Sequence, residues 1–362
     1  MGTKELKKPV GGNNFTKIFR NQIFIPLAAL LLLALFNLIA DPGFFKITLG
    51  YNNLGNPVLS GFLVTILDSG SEVAILAIGM TLVTAATGGQ DISVGAAVAI
   101  AGSVLLRVLC GRDTRPETLQ APIIVAFLVC CVVAMLFGAF NGVLVAYFKI
   151  QPMVATLILY TAGRSIAAWI NNNELPIVSE PSFGYFGGFI QGIPIPTPFF
   201  IAIICMIVIG LVLKFTNLRL YTQAVGINEN SSRLNGLNPK VIKVLSFVIL
   251  GLCVAVVGLI KTSRVSSINY SVIAKDIEMD AILAVALGGN ALGGGKFNMT
   301  ASVIGAYVIQ FLTQTLFKFN VKSTALPAYK AVVVIVLVVI SAPVVREWFS
   351  ATMKKLQTKE AA

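Results

Sequence analysis

Thr87-Gly88-Gly89-Gln90-Asp91-Ile92-Ser93-Val94-Gly95 stands between two apolar runs, Val73 to Thr87 and Ile92 to Leu109, with almost no loop between them. Adjacent glycines break a helix at little steric cost, and an aspartate just before the next apolar run can accept backbone N–H groups where the helix dipole is positive. The stretch therefore reads as a broken or re-entrant helical element, with Gly88, Gly89, Asp91, Ser93 and Gly95 at the break. Two readings of Asp91 stay open. It caps a helix at the membrane interface, or its carboxylate lies on a translocation path, as ionisable groups at membrane depth often do.

Working outward, the same apolar character fills the chain. Of 362 residues, 56% are hydrophobic and only 12% charged, and the mean hydropathy is +0.87, which excludes an ordinary water-soluble globule. Runs long enough to approach a membrane span are Ile23–Ala40, Val73–Thr87, Ile92–Leu109, Ile123–Phe148, Met153–Ile170, Phe199–Leu213, Val241–Ile260, Met279–Leu292, Thr300–Phe317 and Ala331–Val345. The expected fold is an all-α integral membrane protein with about ten transmembrane helices and broken or re-entrant segments. Lys4, Lys7, Lys8, Lys17 and Arg20 precede the first run, which is longer than a signal peptide's apolar core and lacks a cleavage pattern before Asp41. With N-terminus and C-terminus both inside, 16 Lys/Arg fall on the cytoplasmic side and 10 on the other, the sign that the positive-inside rule requires. The expected organisation is a cytoplasmic tail over 1–22, a transmembrane domain over 23–345 that includes a cytoplasmic loop at 214–243, and a second tail over 346–362.

Much chemistry is excluded. The chain has no histidine, so histidine-based triads, haem ligation and proton relays are absent. Its five cysteines form no C-x-x-C pair and lie in or beside apolar runs, as small hydrophobes do. Gly288-Gly289-Asn290-Ala291-Leu292-Gly293-Gly294-Gly295-Lys296-Phe297 is not a phosphate loop, because Asn290 replaces the first glycine and Phe297 the Ser/Thr that would hold magnesium. Gly288 and Gly289 read instead as a second helix break. Asp68 and Asp91 are too far apart for an aspartyl protease pair, so no catalytic residue, metal or cofactor is expected. The net charge of +12 belongs to membrane-flanking loops rather than to nucleic-acid binding. Ala74–Ile78 leading to Gly88-Gly89 echoes Ala281–Val285 leading to Gly288-Gly289, the pattern of a parallel internal duplication.

Uncharged polar residues inside the runs, among them Asn141, Gln151, Thr156, Tyr160, Gln310 and Gln314, suit a neutral polyhydroxylated solute, although each singly also suits interhelical hydrogen bonding. Arg164 is the one candidate for an intramembrane charge near mid-span, which disfavours ion coupling. In the long loop, Gly226 to Pro239 has the marks of a short exposed helix: Asn228 or Asn230 to cap it, Gly236 to end it, and Asn238-Pro239 to begin the next. So short a helix gains little stability alone, and Arg233, Leu234 and Asn235 are either offered to a partner or simply solvated.

These residues resemble a known family, the permease subunits of bacterial ATP-binding-cassette importers for monosaccharides. The resemblance runs from about Val73 to Val345 and is carried by Gly79-Met80-Thr81-Leu82-Val83, by Gly88 to Gly95, by Phe140-Asn141-Gly142, by Ala224 to Gly236 and by Asp280–Ala284. Ile150 to Ile158 with Ala162-Gly163-Arg164 is most similar to the galactofuranose-type permeases. Met153 and Gln90 depart from the usual residues, so the resemblance leaves the sugar open. It implies an ATP-binding subunit, a second permease subunit, an extracytoplasmic sugar-binding protein and residence in a bacterial cell membrane. It also implies that Gly226 to Gly236 is the coupling helix. A permease of the same superfamily for an amino acid, nucleoside or autoinducer, or a channel or ion-coupled carrier without an ATPase, are the alternatives.

Overall fold

The computed structural model describes residues 23–51 and 57–341. The expected tails at 1–22 and 346–362, and the end of the tenth apolar run, lie outside the described residues. Helix α1 (Phe24–Ala40) leads into a 3-10 turn (Pro42–Phe45), and a small antiparallel hairpin follows, β1 (Thr48–Tyr51) against β2 (Pro57–Ser60), with Thr48 opposite Ser60. Then come α2 (Phe62–Thr87), α3 (Val94–Cys110), α4 (Ile123–Ala146), α5 (Pro152–Ile170), the single turn α6 (Pro181–Gly184) and α7 (Thr197–Phe215). The remainder is α8 (Leu218–Ile227), α9 (Glu229–Leu234), α10 (Pro239–Val265), α11 (Ile277–Leu287), α12 (Met299–Lys318) and α13 (Leu326–Ser341).

Among the described residues, six helices are long and apolar enough to cross a membrane (α2, α4, α5, α7, α10 and α12), and α1 and α3 are shorter apolar helices. The chain is a mostly helical, multi-pass membrane protein, and the β1–β2 hairpin departs from the all-α expectation. In α2 and α12, 67% of the most apolar window is buried, against 22% in α7, so α2 and α12 form the centre and α7 the rim. The rim helices turn Leu31, Leu35, Leu128, Leu136, Ile204 and Leu211 outward, as a lipid-facing surface requires. Helices α4 and α10 approach through small residues. A Cβ on Gly142 would lie 2.8 Å from Val244 Cα, and one on Gly251 2.5 Å from Ala134 O, so only glycine allows this separation.

Three boundaries differ from the sequence reading. Helix α2 begins at Phe62 rather than Val73, which takes Asp68 and Glu72 into the bundle. Their charge is answered on α10: Glu72, 1% exposed, pairs with Lys261 and Arg264 at 2.6 Å each, and Asp68 pairs with Arg264 at 2.7 Å. Lys261 and Arg264, read from sequence as loop residues, belong to the last turns of α10. Finally, the run expected to span at Met279–Leu292 is α11, whose 11 residues rise only about 16 Å. It reaches about half-way through a bilayer core of roughly 30 Å. Its start packs on the start of α3, where the Gly95 Cα abuts the Glu278 carboxylate and the Ala274 carbonyl.

Candidate functional site

At the end of α2, Gly88 adopts φ +68°, a left-handed conformation that glycine takes without a Cβ penalty, and its N–H donates to Thr84 O at 3.0 Å. The chain then turns through Gly89 to Asp91 and starts α3. Asp91 is buried, and its Oδ1 accepts the Ser93 N–H at 2.8 Å and the Ser93 hydroxyl at 2.6 Å. Asn141 on α4 donates from Nδ2 to Asp91 Oδ2 at 3.2 Å and to Ser93 Oγ at 3.0 Å, while Thr156 Oγ1 on α5 accepts the Ile92 N–H at 3.2 Å. Three helices thus satisfy the backbone and hydroxyl groups of the break. The cavity beside Asp91, Ser93 and Asn141 holds about 10 Å³, far too little for a sugar.

These bonds set the expectation for Asp91→Asn. The asparagine keeps the Oδ1 acceptor for Ser93, and Asn141 can turn its amide to meet the new NH₂, so the uptake that the resemblance implies is expected to fall no more than about threefold. Asp91→Ala leaves the Ser93 N–H and hydroxyl buried without their acceptor, Asn141 keeping only Ser93 Oγ, and should cost on the order of 1–3 kcal/mol. Uptake rates at matched protein level check both, and complete loss in Asp91→Asn with normal assembly would assign the carboxylate to the solute path.

The break meets the second glycine-rich turn. The Gly295 N–H donates to Ala85 O at 3.0 Å, and Gln90 Nε2 donates to Leu292 O at 3.3 Å. Asn290 holds that turn to the start of α12, donating to Ser302 Oγ at 2.8 Å while its Oδ1 accepts the Asn298 N–H at 2.6 Å. Gly226, near the end of α8, lies against Ala85 O and Gly295 N so closely that no Cβ fits there. The end of α2, the 288–295 turn and the approach to α9 therefore form one junction.

Helix α9 leaves this junction into solvent. Asn228 is its cap, accepting the Ser231 N–H at 2.9 Å, whereas Asn230 lies inside the helix. It ends in a Schellman motif, with Gly236 at φ +82° donating to Arg233 O at 3.1 Å and Leu237 N–H to Ser232 O at 3.1 Å. Asn235 Nδ2 returns to Ser231 O at 2.8 Å. Leu234 is 86% exposed, more than any other large apolar residue described. Between α9 and the turn joining α4 to α5 opens a cleft of about 880 Å³, and Gln151, Asn230 and Arg233 line it.

The remaining candidates do not share one cavity, and only Gln151 joins the α9 residues. Gln151 faces that surface cleft, Tyr160 is exposed on α5, and Gln314 is buried on α12. Gln310 donates to Asp280 Oδ2 at 2.9 Å, and Lys330 on α13 pairs with the same carboxylate at 2.9 Å. Arg164 donates to the carbonyls of Tyr270 and Ile273 at 2.8 and 2.9 Å, so it pins the segment before α11 rather than standing free. Sequence reasoning passed over Glu278 and left Glu72 at the margin ahead of the second run, and both are buried. The only local signal was a carboxylate within reach of an apolar run.

Comparison with known proteins places these features. A family model described as "Branched-chain amino acid transport system / permease component" matches residues 62–342. The chain is 35% identical to the fructose import permease protein FruF of Bifidobacterium longum, over 98% of this chain and 97% of that protein. It is 36% identical to the galactofuranose transporter permease protein YtfT of Escherichia coli, over 87% and 88% of the two, and 32% identical to the ribose import permease protein RbsC of the same organism, over 91% and 96%. No solved structure matches.

Proposed function

The chain belongs to the branched-chain amino acid transport system / permease component family, and from that premise we propose that it is the permease subunit of an ATP-binding-cassette importer for a monosaccharide. The observation that carries the sugar reading is the full-length similarity to a fructose import permease, with galactofuranose and ribose permeases beside it. A branched-chain amino acid, the solute in the family's description, is the competitor to be tested.

In this reading the chain lies in a bacterial cell membrane with about ten passes and both termini cytoplasmic. It pairs with a second permease subunit and receives the sugar from an extracytoplasmic binding protein. The ATP-binding subunit hydrolyses ATP on the cytoplasmic face, so the chain itself is not an enzyme. Helix α9 is the coupling helix. Closure of the ATP-binding subunits displaces α9, and because Gly226 is packed on Ala85 and Gly295, the displacement reaches both glycine turns at once. The two turns end α2 and α11, the buried helices that must re-angle for the path to open to alternate sides. Burial of α2 supports that role.

The test is uptake by membranes holding the chain, its ATP-binding subunit and its binding protein, with labelled fructose, ribose, galactofuranose and leucine as competing solutes. Sugar uptake that survives an uncoupler and stops on ATP depletion is expected; uptake of leucine alone would overturn the sugar reading. Arg233→Glu with Leu234→Asp is expected to leave membrane insertion intact, because both side chains are exposed, and to cut co-purification of the ATP-binding subunit by roughly tenfold or more. Unchanged co-purification would remove α9 from the coupling role.

A further inference from the structure

The cleft beside α9 has a second wall that a coupling role for α9 alone leaves unused. That wall is the turn joining α4 to α5, where Lys149 stands at φ +56° and is exposed. Lys149, Arg233, Lys240 and Lys243 line the cleft, with Glu229 as its single carboxylate. Lys243 is already paired with Glu229 at 2.7 Å, and Lys240 lies 4.7 Å from the Tyr147 ring centroid. Lys149 and Arg233 have no ion pair among the described residues. Like charges gathered in one recess repel, and the arrangement gains from an occupant that brings negative charge.

The chain's own ends bring no net negative charge. Residues 1–22 carry five Lys/Arg against one Glu, and residues 342–362 carry four Lys/Arg against two Glu. A second copy would present the same cations. The uncharged part of the lining is rich in amides, including Gln151 and Asn230, which suit a peptide's backbone groups. At about 880 Å³ the recess is large for a single phosphate-bearing head group.

We infer that this cleft receives an acidic segment of the ATP-binding subunit, whose carboxylates pair with Lys149, Lys240 and Arg233. The partner then grips the α4–α5 turn as well as α9. This rests on the ATP-driven reading above. It gives partner motion a second route to the helix break, because Pro152, in the cleft lining, sits where a Cβ on Gly89 would lie 2.7 Å from its ring.

The experiment is purification of the tagged chain with its ATP-binding subunit in mild detergent at low and high salt, wild type beside Lys149→Glu with Lys240→Glu. Recovery of the partner should fall about tenfold in the double variant, and wild-type recovery should itself fall as salt rises. A zero-length carbodiimide should join Lys149 or Lys240 to an aspartate or glutamate of the partner. If reversal disturbs folding, seen as a lowered melting temperature, Lys149→Gln with Lys240→Gln is the milder pair and should still lose about threefold. Unchanged recovery in a folded double variant overturns the inference and leaves the α9 role standing. Loss of a bound anionic phospholipid with the partner retained overturns it in favour of a lipid head group. If wild type recovers no ATP-binding subunit while still supporting uptake, the ATP-driven reading fails first.

Discussion

Gly226→Val is expected to abolish uptake, by about a hundredfold or more, while the chain still inserts and accumulates in the membrane. At this position any Cβ meets Ala85 O and Gly295 N, both backbone atoms that cannot rotate away, so α8 must withdraw from the end of α2 and from the second glycine turn. Overpacking of this kind costs roughly 1–3 kcal/mol or more. The loss falls on the link between α9 and the two breaks rather than on the solute path. Gly236→Ala is the control. Nothing lies within 4 Å of a Cβ there, so the variant meets only the left-handed backbone penalty of about 1 kcal/mol and should keep most of its uptake. Labelled-sugar uptake normalised to membrane protein decides the matter; near-normal uptake by Gly226→Val would mean that α9 moves independently of the glycine turns.

Glu72→Ala has the second largest expected effect, and it falls on stability. Lys261 would lose its only ion-pair partner among the described residues, Arg264 would keep only Asp68, and a void would open where a nearly inaccessible side chain had been. Breaking a buried charge pair from one side costs on the order of 3 kcal/mol. The detergent-solubilised protein should melt several degrees lower. Adding Lys261→Met to Glu72→Ala removes one of the stranded cations, so the double variant should lose less than the two singles together. An unshifted melting temperature in Glu72→Ala would mean that the pair contributes nothing to holding α2 on α10.

The same network marks where local sequence reading stops. The break at Gly88 to Ser93 and the caps of α9 were legible, because glycine pairs, Asn228 and Gly236 act within a few residues of themselves. The beginning of α2 was not, because Asp68 and Glu72 look like the polar margin of a span until Lys261 and Arg264, nearly two hundred residues later, are seen to neutralise them. The half-length of α11 was legible only in part: the Gly288-Gly289 break was read, but the run was carried on to Leu292, whereas the helix ends at Leu287 and Asn290 turns away to hold Ser302 and Asn298. Polar residues were the least legible. Asn141 and Thr156 do meet at the break, whereas Gln151, Tyr160 and Gln310 point to three other surroundings that composition does not distinguish.

The short α11 also constrains how the protein is made. A segment of 11 residues cannot leave the translocation machinery as an independent span, and the irregular backbone before it would be exposed to hydrocarbon without neighbours. Arg164 of α5 and the start of α3 supply that shelter, and both are synthesised first. Insertion of residues 266–295 must therefore await a docking surface already assembled by the earlier helices. A nascent chain lacking α5 would reach this segment without the Arg164 side chain that holds the Tyr270 and Ile273 carbonyls.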